Sequence, residues 1–588
     1  MITPNELIDT IVLNDHFIND MNLQDNTSNE NLLTLFYQPN SPLEQQIINR
    51  IGLNYTCDCS FLQTTSEYIS LIAECYSEND YWDFECCKKY DTYCDSKLEE
   101  NYQYLCIPDE FRNIADMYSK DIPYLTRSLA SLDNLNTKSW FLQGWSMYNV
   151  GSPFMALITP IFFAILPFFF LKLAGIPITI SSYWTYLKQL LRGHTIGQLL
   201  DFSSSSGSNR IYIIISLVFY IVNVVQNIMQ CSRFLSNQKI VIERIRETAR
   251  ECERMKERIN QMIECINKLY TSHNAYNTYS NELTIRVKKL DTYIIQLNSI
   301  TKILKSNTMT PPSKIGDVLS VFYRIHREQE FVDLMRDCYD IMAYQNILIR
   351  LSTWYTSMCR VEWDENNHSV FEDFLPITIL DENDNNAITN TVDLSMNWII
   401  TGKNASGKTT ILRSVLWNQL LAQQWGVCFS KKATCGVYDT FHCYLNIPDS
   451  FSRDSLFQAE ARRCLEVIQA IHERPERKHL CIFDELYSGT NPIEAISGSV
   501  AYIRLLQQNP NVTFLLTTHF HSILQFIGKK QKINQAFMKT KDSRFTYQLE
   551  KGVNRDFGAI EVFEQLGYGD DFVKDARRVL KKVSKQFK

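Results

Sequence analysis

The sequence predicts an α/β domain in the C-terminal part of the chain and an all-α region before it, with two candidate transmembrane helices in the all-α region. Two observations lead to this prediction. The apolar stretch Trp398–Thr401 runs into a glycine-bounded turn, and a helical pattern begins at about Lys408, which is the order of a buried strand, a tight loop and a helix. Residues 154–171 and 211–231 contain no charged residue, and each run is long enough to cross a hydrocarbon layer of ~30 Å.

Length and composition limit what the chain can be. With 588 residues it is too long for a single hydrophobic core, so we expect about three or four domains. Charged residues make up 21% of the chain, apolar residues make up 45%, and the net charge is -6. This balance argues against a protein that binds polyanions over its whole surface, although a local basic face could still contact DNA.

Cysteine usage predicts a reduced, intracellular chain. The 17 cysteines are an odd number, and the acidic N-terminus lacks the apolar segment of a signal peptide. Seven of the cysteines fall within one short stretch: Cys57, Cys59, Cys75, Cys86, Cys87, Cys94 and Cys106. Their spacing is a poor match to the paired C-x-x-C of a zinc site, so free thiols and a structural metal are the two alternatives.

Changes of composition divide the chain into five expected segments. They are a helical N-terminal core at 1–150, a membrane region at 151–231, a long helical arm at 232–310, a helical connector at 311–368, and an α/β domain with C-terminal helices at 369–588. The boundary at about 310 rests on the pair Pro311-Pro312. The short apolar runs that follow residue 368 are typical of strands.

The two uncharged runs at 154–171 and 211–231 allow two interpretations. As membrane helices they would be flanked by interfacial aromatic residues such as Trp145. A soluble core of buried helices would explain Pro160 and Pro167 in the first run, and the amide side chains that end the second. Because prolines are tolerated in membrane helices, and because uncharged runs of this length are uncommon in soluble ones, we expect membrane insertion.

The arm at 232–310 carries the pattern of long amphipathic helices. Apolar residues recur at spacings of three to seven between Arg, Glu and Lys side chains. A polar stretch at 272–277 interrupts the pattern, which resumes to about residue 306 and predicts two antiparallel helices. The charged face of this arm is either a solvated surface or a contact for DNA.

The turn after the strand at 398–401 has the spacing of a P-loop. Gly402, four further residues, Gly407, Lys408 and Thr409 follow the pattern G-x-x-x-x-G-K-T. Backbone N–H groups of such a loop converge on phosphate oxygens, and the lysine adds a charge near the β- and γ-phosphates. The alternative is an ordinary strand-turn-helix connection with an exposed lysine. The expected nucleotide-binding residues are Gly402, Asn404, Ser406, Gly407, Lys408, Thr409 and Thr410.

Two later strands end in residues suited to ATP hydrolysis. The apolar stretch 479–483 ends in Asp484 and Glu485, where the first acid would hold Mg²⁺ through water and the second would orient or deprotonate the attacking water. The stretch 513–518 ends in His519, which is either a sensor of the γ-phosphate at the ligand-binding edge of the sheet or a structural histidine. The predicted catalytic residues are Glu485, Lys408 and His519, the predicted metal ligands are Thr409 and Asp484, and the predicted cofactors are ATP and Mg²⁺.

Taken together, these motifs resemble the MutS family of DNA mismatch-repair ATPases. Thr401–Thr409 is similar to the family's Walker A motif T-G-P-N-x-x-G-K-S and keeps its asparagine as Asn404. Lys403 stands where the family has proline, and Thr409 stands where it has serine. The segment Ser455–Glu460 resembles the family signature S-T-F-x-x-E. Further similarities are those of Asp484–Thr490 to D-E-x-x-x-G-T, of Thr518–Phe520 to T-H-Y/F, and of residues 545–568 to the C-terminal strand and helix segment.

The resemblance is specific over about residues 370–580, and it implies an ABC-type P-loop ATPase that works as a dimer. In such a dimer Ser455 would act in trans and complete the partner's site around the γ-phosphate. ATP binding would close the two domains and hydrolysis would release them, with levers carrying the motion to the arms. The arm is similar to the family's lever and clamp less specifically, and Leu13–Asp15 resembles the N-terminal core of membrane-bearing MutS-like proteins more weakly still.

Departures from the family pattern shape the expected function. No segment resembles the mismatch-reading G-x-F-Y-E motif, so direct mismatch recognition is not expected. We expect a membrane-tethered, dimeric, ATP-dependent clamp, whose partners are a second ATPase subunit, DNA and the membrane. Because a P-loop needs ATP, both flanks of a two-crossing membrane region are placed in the cytosol. If the first uncharged run is instead re-entrant, the count of two crossings fails and the topology is open.

The alternative is an ABC-type membrane transporter half or a scaffold ATPase, in either case without a DNA ligand. A transporter needs more than two crossings and usually a glycine-rich signature, which residues 449–455 do not provide. Intact Lys408, Asp484 and Glu485 argue against a scaffold. The choice between a homodimer and a heterodimer stays open.

Overall fold

The structure is a computed structural model, and it describes residues 3–24, 31–76, 138–191, 207–271, 273–303, 312–364, 368–380, 387–403, 406–445, 456–527, 533–541, 544–553, 563 and 567–586. The chain forms two compact units. The first unit contains Met1–Trp82, Asn260–Thr284 and Tyr339–Lys588, and the second unit contains Asp83–Ile259 and Ile285–Cys338.

Helices make up most of the second unit and surround the sheets of the first. In chain order they are α1 Asp15–Asp20, α2 Leu32–Tyr37, α3 Pro42–Ile51, α4 Cys59–Cys75, α5 Ser139–Leu173, α6 Ile180–Leu191, α7 Gly207–Asn267, α8 Asn274–Ile303, α9 Ile315–Arg327, α10 Gln329–Thr353, α11 Lys408–Trp425, α12 Leu456–Glu473, α13 Pro492–Leu506, α14 Ser522–Ile527 and α15 Asp570–Gln586.

Among the described residues, the strands all lie in the first unit. In chain order they are β1 Ile11–Val12, β2 Asn54–Tyr55, β3 Cys359–Trp363, β4 Val370–Phe374, β5 Asn390–Asp393, β6 Asn397–Thr401, β7 Val427–Cys428, β8 Lys432–Cys435, β9 Thr440–Tyr444, β10 His479–Asp484, β11 Val512–Thr518, β12 Ile533–Lys541 and β13 Arg544–Lys551. A six-stranded sheet has the order β13-β12-β6-β11-β10-β9, and a five-stranded sheet has the order β5-β4-β8-β3-β7. In the six-stranded sheet every neighbouring pair is parallel except β12 with β13.

The central strands of the six-stranded sheet are apolar on both faces. Phe483 of β10 is 1% exposed, and Phe514 and Leu516 of β11 are fully buried. Near-continuous apolar runs of this kind are typical of parallel strands that helices cover on both sides. The polar residues that end these strands therefore stand out at one edge of the sheet.

The α/β part of the chain begins earlier than the expected boundary at 369. β3 already belongs to the five-stranded sheet, where it pairs with β8. The expected core at 1–150 and the expected connector at 311–368 are each divided between the two units. The N-terminal segment also contains a strand pair, β1 with β2, because partners distant in sequence decide this pairing and local composition does not show them.

The N-terminal segment packs against the six-stranded sheet. Asn14 donates from Nδ2 to the carbonyl oxygen of Phe441 in β9 at 2.9 Å. The carboxylate of Asp20 accepts from the Leu445 N–H at 2.9 Å and lies 3.4 Å from Nη2 of Arg463. Asp20 and Arg463 are 5% and 10% exposed, so their ion pair is buried and hydrogen-bonded, as a stable buried charge requires.

Helix α4 lies between the P-loop helix α11 and the turn that joins α7 to α8. The C-terminus of α11 ends at Gly426, whose φ is +68°, and a Cβ there would lie 2.2 Å from the Leu62 carbonyl oxygen of α4. On α4, the carboxylate of Glu67 accepts from the N–H of Tyr270 at 2.7 Å and of Thr271 at 3.2 Å. The Thr271 hydroxyl also donates to Glu67, at 2.6 Å. The turn at 268–273 is therefore held by side-chain contacts within the first unit.

The long helices of the arm run antiparallel, as the sequence predicts. Within the second unit Lys256 pairs with Asp291, and Asn298 donates to Glu253 at 2.8 Å. As the residue number on α7 falls, the number of its partner on α8 rises, which is the order of an antiparallel pair. The break lies at 268–273, slightly before the expected 272–277.

The two uncharged runs each lie within one helix. The first is in α5, which continues through Pro160 and Pro167. Among the described residues, one helix is long and apolar enough by length and composition to span a membrane: it covers Arg210–Asn267, with a stretch of mean hydropathy 2.0 that is 6% buried. The crossings themselves stay a prediction.

Candidate nucleotide-binding site

Strands β6, β10 and β11 lie side by side and end at the same edge of the six-stranded sheet. The register pairs Thr401 with Thr518 and Asp484 with Thr517. The residues that follow these strand ends are therefore neighbours, although up to about 120 positions separate them in the sequence. Ligands of open parallel sheets bind at this edge, and the site lies here.

Lys408 is the first residue of α11 and is only 5% exposed. Its Nζ donates to the carbonyl oxygens of Gly402 and Lys403, each at 3.0 Å. The same atom lies 3.2 Å from Oε1 of Glu485. A buried ammonium group requires such partners, and its burial disfavours the alternative of an ordinary connection with an exposed lysine.

The loop before Lys408 fits a phosphate group. Gly407 has a φ of +94°, and a Cβ there would lie 3.1 Å from Cδ1 of Tyr547. A Cβ on Gly402 would lie 2.9 Å from Oγ of Ser406. The Ser406 hydroxyl is buried, and among the described residues it has no hydrogen-bond partner. A buried donor without a protein partner, in a glycine-bounded loop at a helix N-terminus, suits an anionic ligand.

Thr409 and Asp484 lie together, as the sequence predicts for metal ligands. Oγ1 of Thr409 donates to Oδ2 of Asp484 at 2.6 Å, and the Thr517 hydroxyl donates to Oδ1. Over the described ranges, no cluster of three or more His, Cys, Asp and Glu side chains is placed to hold a metal ion. Mg²⁺ at phosphate sites needs one or two carboxylates, with water and phosphate as the other ligands, so Thr409 and Asp484 fit Mg²⁺.

Glu485 sits on a sharp backbone turn between Lys408 and His519. Its φ is +55°, a left-handed value, and its N–H donates to the Thr517 carbonyl oxygen at 3.1 Å. Nδ1 of His519 lies 3.6 Å from Oε2 of Glu485. The interaction with the His519 ring, followed by the charge of Lys408, lowers the pKa of Glu485 to about 2, although burial acts in the opposite direction. The carboxylate is therefore ionised and able to accept a hydrogen bond from water.

Glu460 of α12 holds the loop that follows Glu485, a role that our sequence analysis did not assign. Its carboxylate accepts from the N–H and the hydroxyl of Ser488 at 3.1 and 2.8 Å, and from the N–H of Gly489 at 3.2 Å. A Cβ on Gly489 would lie 2.9 Å from Cγ of Leu456. The last residue of the signature-like segment thus fixes the approach of α12 to the site. The sequence signal that could have indicated this role is the glutamate of the pattern S-T-F-x-x-E, which Glu460 matches.

The structure brings together five of the predicted site residues: Lys408, Thr409, Asp484, Glu485 and His519. Thr410 lies in the first turn of α11, half-buried. Asn404 and Ser455 lie outside the described residues, as do Cys86, Cys87, Cys94 and Cys106 of the cysteine cluster. The described members of that cluster, Cys57, Cys59 and Cys75, are free thiols.

Comparison with known proteins identifies the domain that carries this site. Residues 398–584 match the family model described as MutS domain V. The chain is 25% identical over 228 residues to the DNA mismatch repair protein MutS of Persephonella marina, which covers 37% of this chain and 25% of that protein. The MutS of Bacteroides fragilis is 28% identical over 192 residues, covering 32% of this chain and 22% of that protein.

A third relative is the Endonuclease MutS2 of Finegoldia magna, which is 25% identical over 194 residues, covering 32% of this chain and 24% of that protein. The similarity thus spans about a quarter of each relative's length. The matched segment contains β6, the P-loop, β10 and β11, which together build the site. Residues 398–584 therefore carry a MutS domain V, the C-terminal ATPase domain that this chain shares with proteins of the MutS family.

Proposed function

We propose that this chain is a membrane-tethered, MutS-like ATPase that closes as a dimer on binding ATP and acts as a clamp on DNA without reading mismatches. The observation that carries the proposal is the convergence of Lys408, Thr409, Asp484, Glu485 and His519 at the carboxyl edge of β6, β10 and β11.

ATP with Mg²⁺ would supply the phosphoryl group and the charge that polarises it. Lys408 would offset the charge of the phosphates, and Thr409 with Asp484 would hold the metal ion. Glu485, already ionised, would orient the attacking water and accept its proton. His519 keeps that carboxylate in place, because its ring and Lys408 lie on either side of it.

A second subunit is proposed from the exposed surface near the N-termini of α12 and α13. Exposed apolar side chains stand near the N-termini of both helices: Phe457 is 38% exposed and Ile493 is 67% exposed. Such side chains favour a protein contact. In the sequence Ser455 immediately precedes α12, and the resemblance to the MutS family implies that this serine acts in trans.

Membrane tethering is proposed from the apolar surface of α5 and α7. Phe162 and Phe170 of α5 are 54% and 62% exposed, and Phe219 and Ile221 of α7 are 70% and 51% exposed. A contiguous apolar surface of this size is unusual in a soluble monomer. The apolar stretch of α7 is 6% buried, which argues against the alternative of a core helix.

One observation favours the second candidate, an ATPase without a DNA ligand. The turn at 268–273 is held by Glu67 of α4. An arm end that is docked in this way is not free to close around a duplex. The helix α7 runs without a break from this turn to the apolar stretch, so domain closure would instead act on the membrane helices.

ATP turnover of the full chain in lipid bilayers, with and without duplex DNA, separates the two functions. The clamp predicts stimulation by DNA that is equal for matched and mismatched duplexes. The inactive control is Glu485→Gln. Turnover that is indifferent to DNA would remove the clamp and leave the membrane-acting ATPase. Recovery of the protein in the soluble fraction without detergent would remove the tether.

A further inference from the structure

A polar cavity of about 340 Å³ lies between α5 and α7 of the second unit. It is lined by Asn149, Gln226, Met229, Gln230, Arg233 and Phe234. Asn149 and Phe234 form its buried floor, at 2% and 1% exposure, while the side chain of Arg233 is exposed. The nucleotide site uses none of these residues.

The cavity lies where both helices leave their apolar runs. Gln230 donates to Asn149 at 3.0 Å, and Cys231 contacts the Val150 carbonyl oxygen at 3.7 Å. Further along, the Tyr220 hydroxyl lies 3.4 Å from the Leu157 carbonyl oxygen. The helices are therefore antiparallel, and the cavity lies just before the first run begins at 154 and around the C-terminal end of the second run, 211–231.

Arg233 is the charged residue that lines the cavity. No ion pair to Arg233 occurs among the residues that the structure describes. An unpaired arginine beside amide side chains suits a phosphate, because the planar guanidinium can donate two parallel hydrogen bonds to phosphate oxygens.

Exposed aromatic side chains precede the apolar run of α5. Trp140 is 70% exposed and Tyr148, next to Asn149, is 59% exposed. Exposed Trp and Tyr residues next to an apolar run are typical of the headgroup layer of a bilayer.

We propose that this cavity binds the phosphate of an anionic phospholipid headgroup, with Arg233 as the main ligand and the amides of Gln226 and Gln230 as further partners. The inference rests on the proposed membrane tether. The proposed topology places residues 232–588 in the cytosol, so the cavity would lie at the cytosolic leaflet, where anionic lipids are concentrated. Met229, half-exposed beside Arg233, would contact the apolar part of the lipid.

The test uses the full-length chain, transferred from detergent into bilayers of phosphatidylcholine alone or with phosphatidylserine. Retention of phosphatidylserine through delipidation is measured by native mass spectrometry. The variant is Arg233→Gln, and the matched control is Lys239→Gln, which removes the same charge from an exposed position of α7 outside the cavity. We expect about a tenfold loss of phosphatidylserine retention in Arg233→Gln and less than about a twofold loss in the control. Arg233→Lys, which keeps the charge, should restore part of the binding.

Equal losses in Arg233→Gln and Lys239→Gln, or equal retention of phosphatidylserine and phosphatidylcholine, would overturn the proposal and leave the tether intact. Displacement of the lipid by excess inorganic phosphate would also overturn it, because the cavity would then recognise free phosphate. Failure to enter either bilayer would instead contradict the tether itself.

Discussion

Lys408 Nζ lies 3.2 Å from Glu485 Oε1, with the two side chains 5% and 28% exposed. The lysine that would meet the phosphates is therefore held against the carboxylate that would activate water. A phosphate bound in the loop competes with Glu485 for the ammonium group. Nucleotide binding would therefore free the carboxylate of Glu485 to act on water.

Replacing Lys408 with Met should weaken nucleotide binding by roughly 10- to 100-fold, since a hydrogen bond to a charged group contributes about 1.5 to 3 kcal/mol. Titration with a fluorescent ATP analogue measures the affinity. The control is Lys431→Met. Lys431 is 81% exposed, and its ion pair with Asp373 is long, at 3.8 Å, so its loss should change little. Unchanged affinity in the Lys408 variant would show that the loop does not hold phosphate.

Replacing Glu460 with Gln should lower turnover, because the loop at 488–489 loses a charged acceptor of three hydrogen bonds. Charge-assisted bonds to a buried carboxylate contribute about 1.5 to 3 kcal/mol each, so the loop becomes mobile even if the domain stays folded. Steady-state ATP hydrolysis measures the effect. The control on the same helix is Glu466→Gln, whose side chain is 46% exposed. Equal activity in the two variants would remove the positioning role of Glu460.

The P-loop, β10 and β11 could be predicted because each is defined by the succession of residue types within one short stretch of sequence. An apolar stretch that ends in a glycine-bounded turn, or in two acidic residues, is compatible with few structures other than a buried strand that leads into a site. The position of the site at one edge of the sheet followed from the parallel topology, because the carboxyl ends of parallel strands lie at the same edge. Lys408, Thr409, Asp484, Glu485 and His519 could be placed together for this reason.

Contacts between distant segments could not be predicted in the same way. The bond from Asn14 to Phe441 and the ion pair of Asp20 with Arg463 join residues more than 400 positions apart. In the sequence, Asn14 and Asp20 look like an ordinary helix cap and an ordinary surface residue, so nothing local indicates their distant partners. The start of the α/β part at β3 was missed because two of its partners, β7 and β8, lie far downstream.

The first unit should lose stability as the pH falls below about 6.5. His442 and His479 lie in contact, 3.1 Å apart, at 7% and 1% exposure. Burial, followed by the neighbouring His479, lowers the pKa of His442 to about 3, and burial lowers that of His479. Between pH 3 and 6.5 the unfolded chain therefore binds more protons at the His442 position, which costs about 1.4 kcal/mol of stability per pH unit. The lowered pKa of His479 adds a loss of the same sign.

Hydrogen exchange of the β9 and β10 amides at pH 7.5 and 5.0, corrected for intrinsic rates, measures this loss. The variant His442→Gln should show a smaller difference between the two pH values, because one titrating group is gone. A pH response identical to the wild type would exclude the buried pair as its source.

Replacing Glu67 with Gln should loosen the turn between α7 and α8. The carboxylate accepts three hydrogen bonds from Tyr270 and Thr271, and weakening them should raise amide exchange at these two residues by about tenfold or more. The control is Glu74→Gln, an exposed position on the same helix. If exchange at Tyr270 and Thr271 is the same in both variants, α4 does not hold the turn.

The most direct test of the account is ATP turnover by full-length Glu485→Gln. The account predicts a fall of roughly 10²- to 10⁴-fold, the usual contribution of a general base, with nucleotide still bound and the dimer trapped in its closed form. Unchanged turnover would contradict the assignment of Glu485 as the base, and with it the central claim that the edge of β6, β10 and β11 hydrolyses ATP as described.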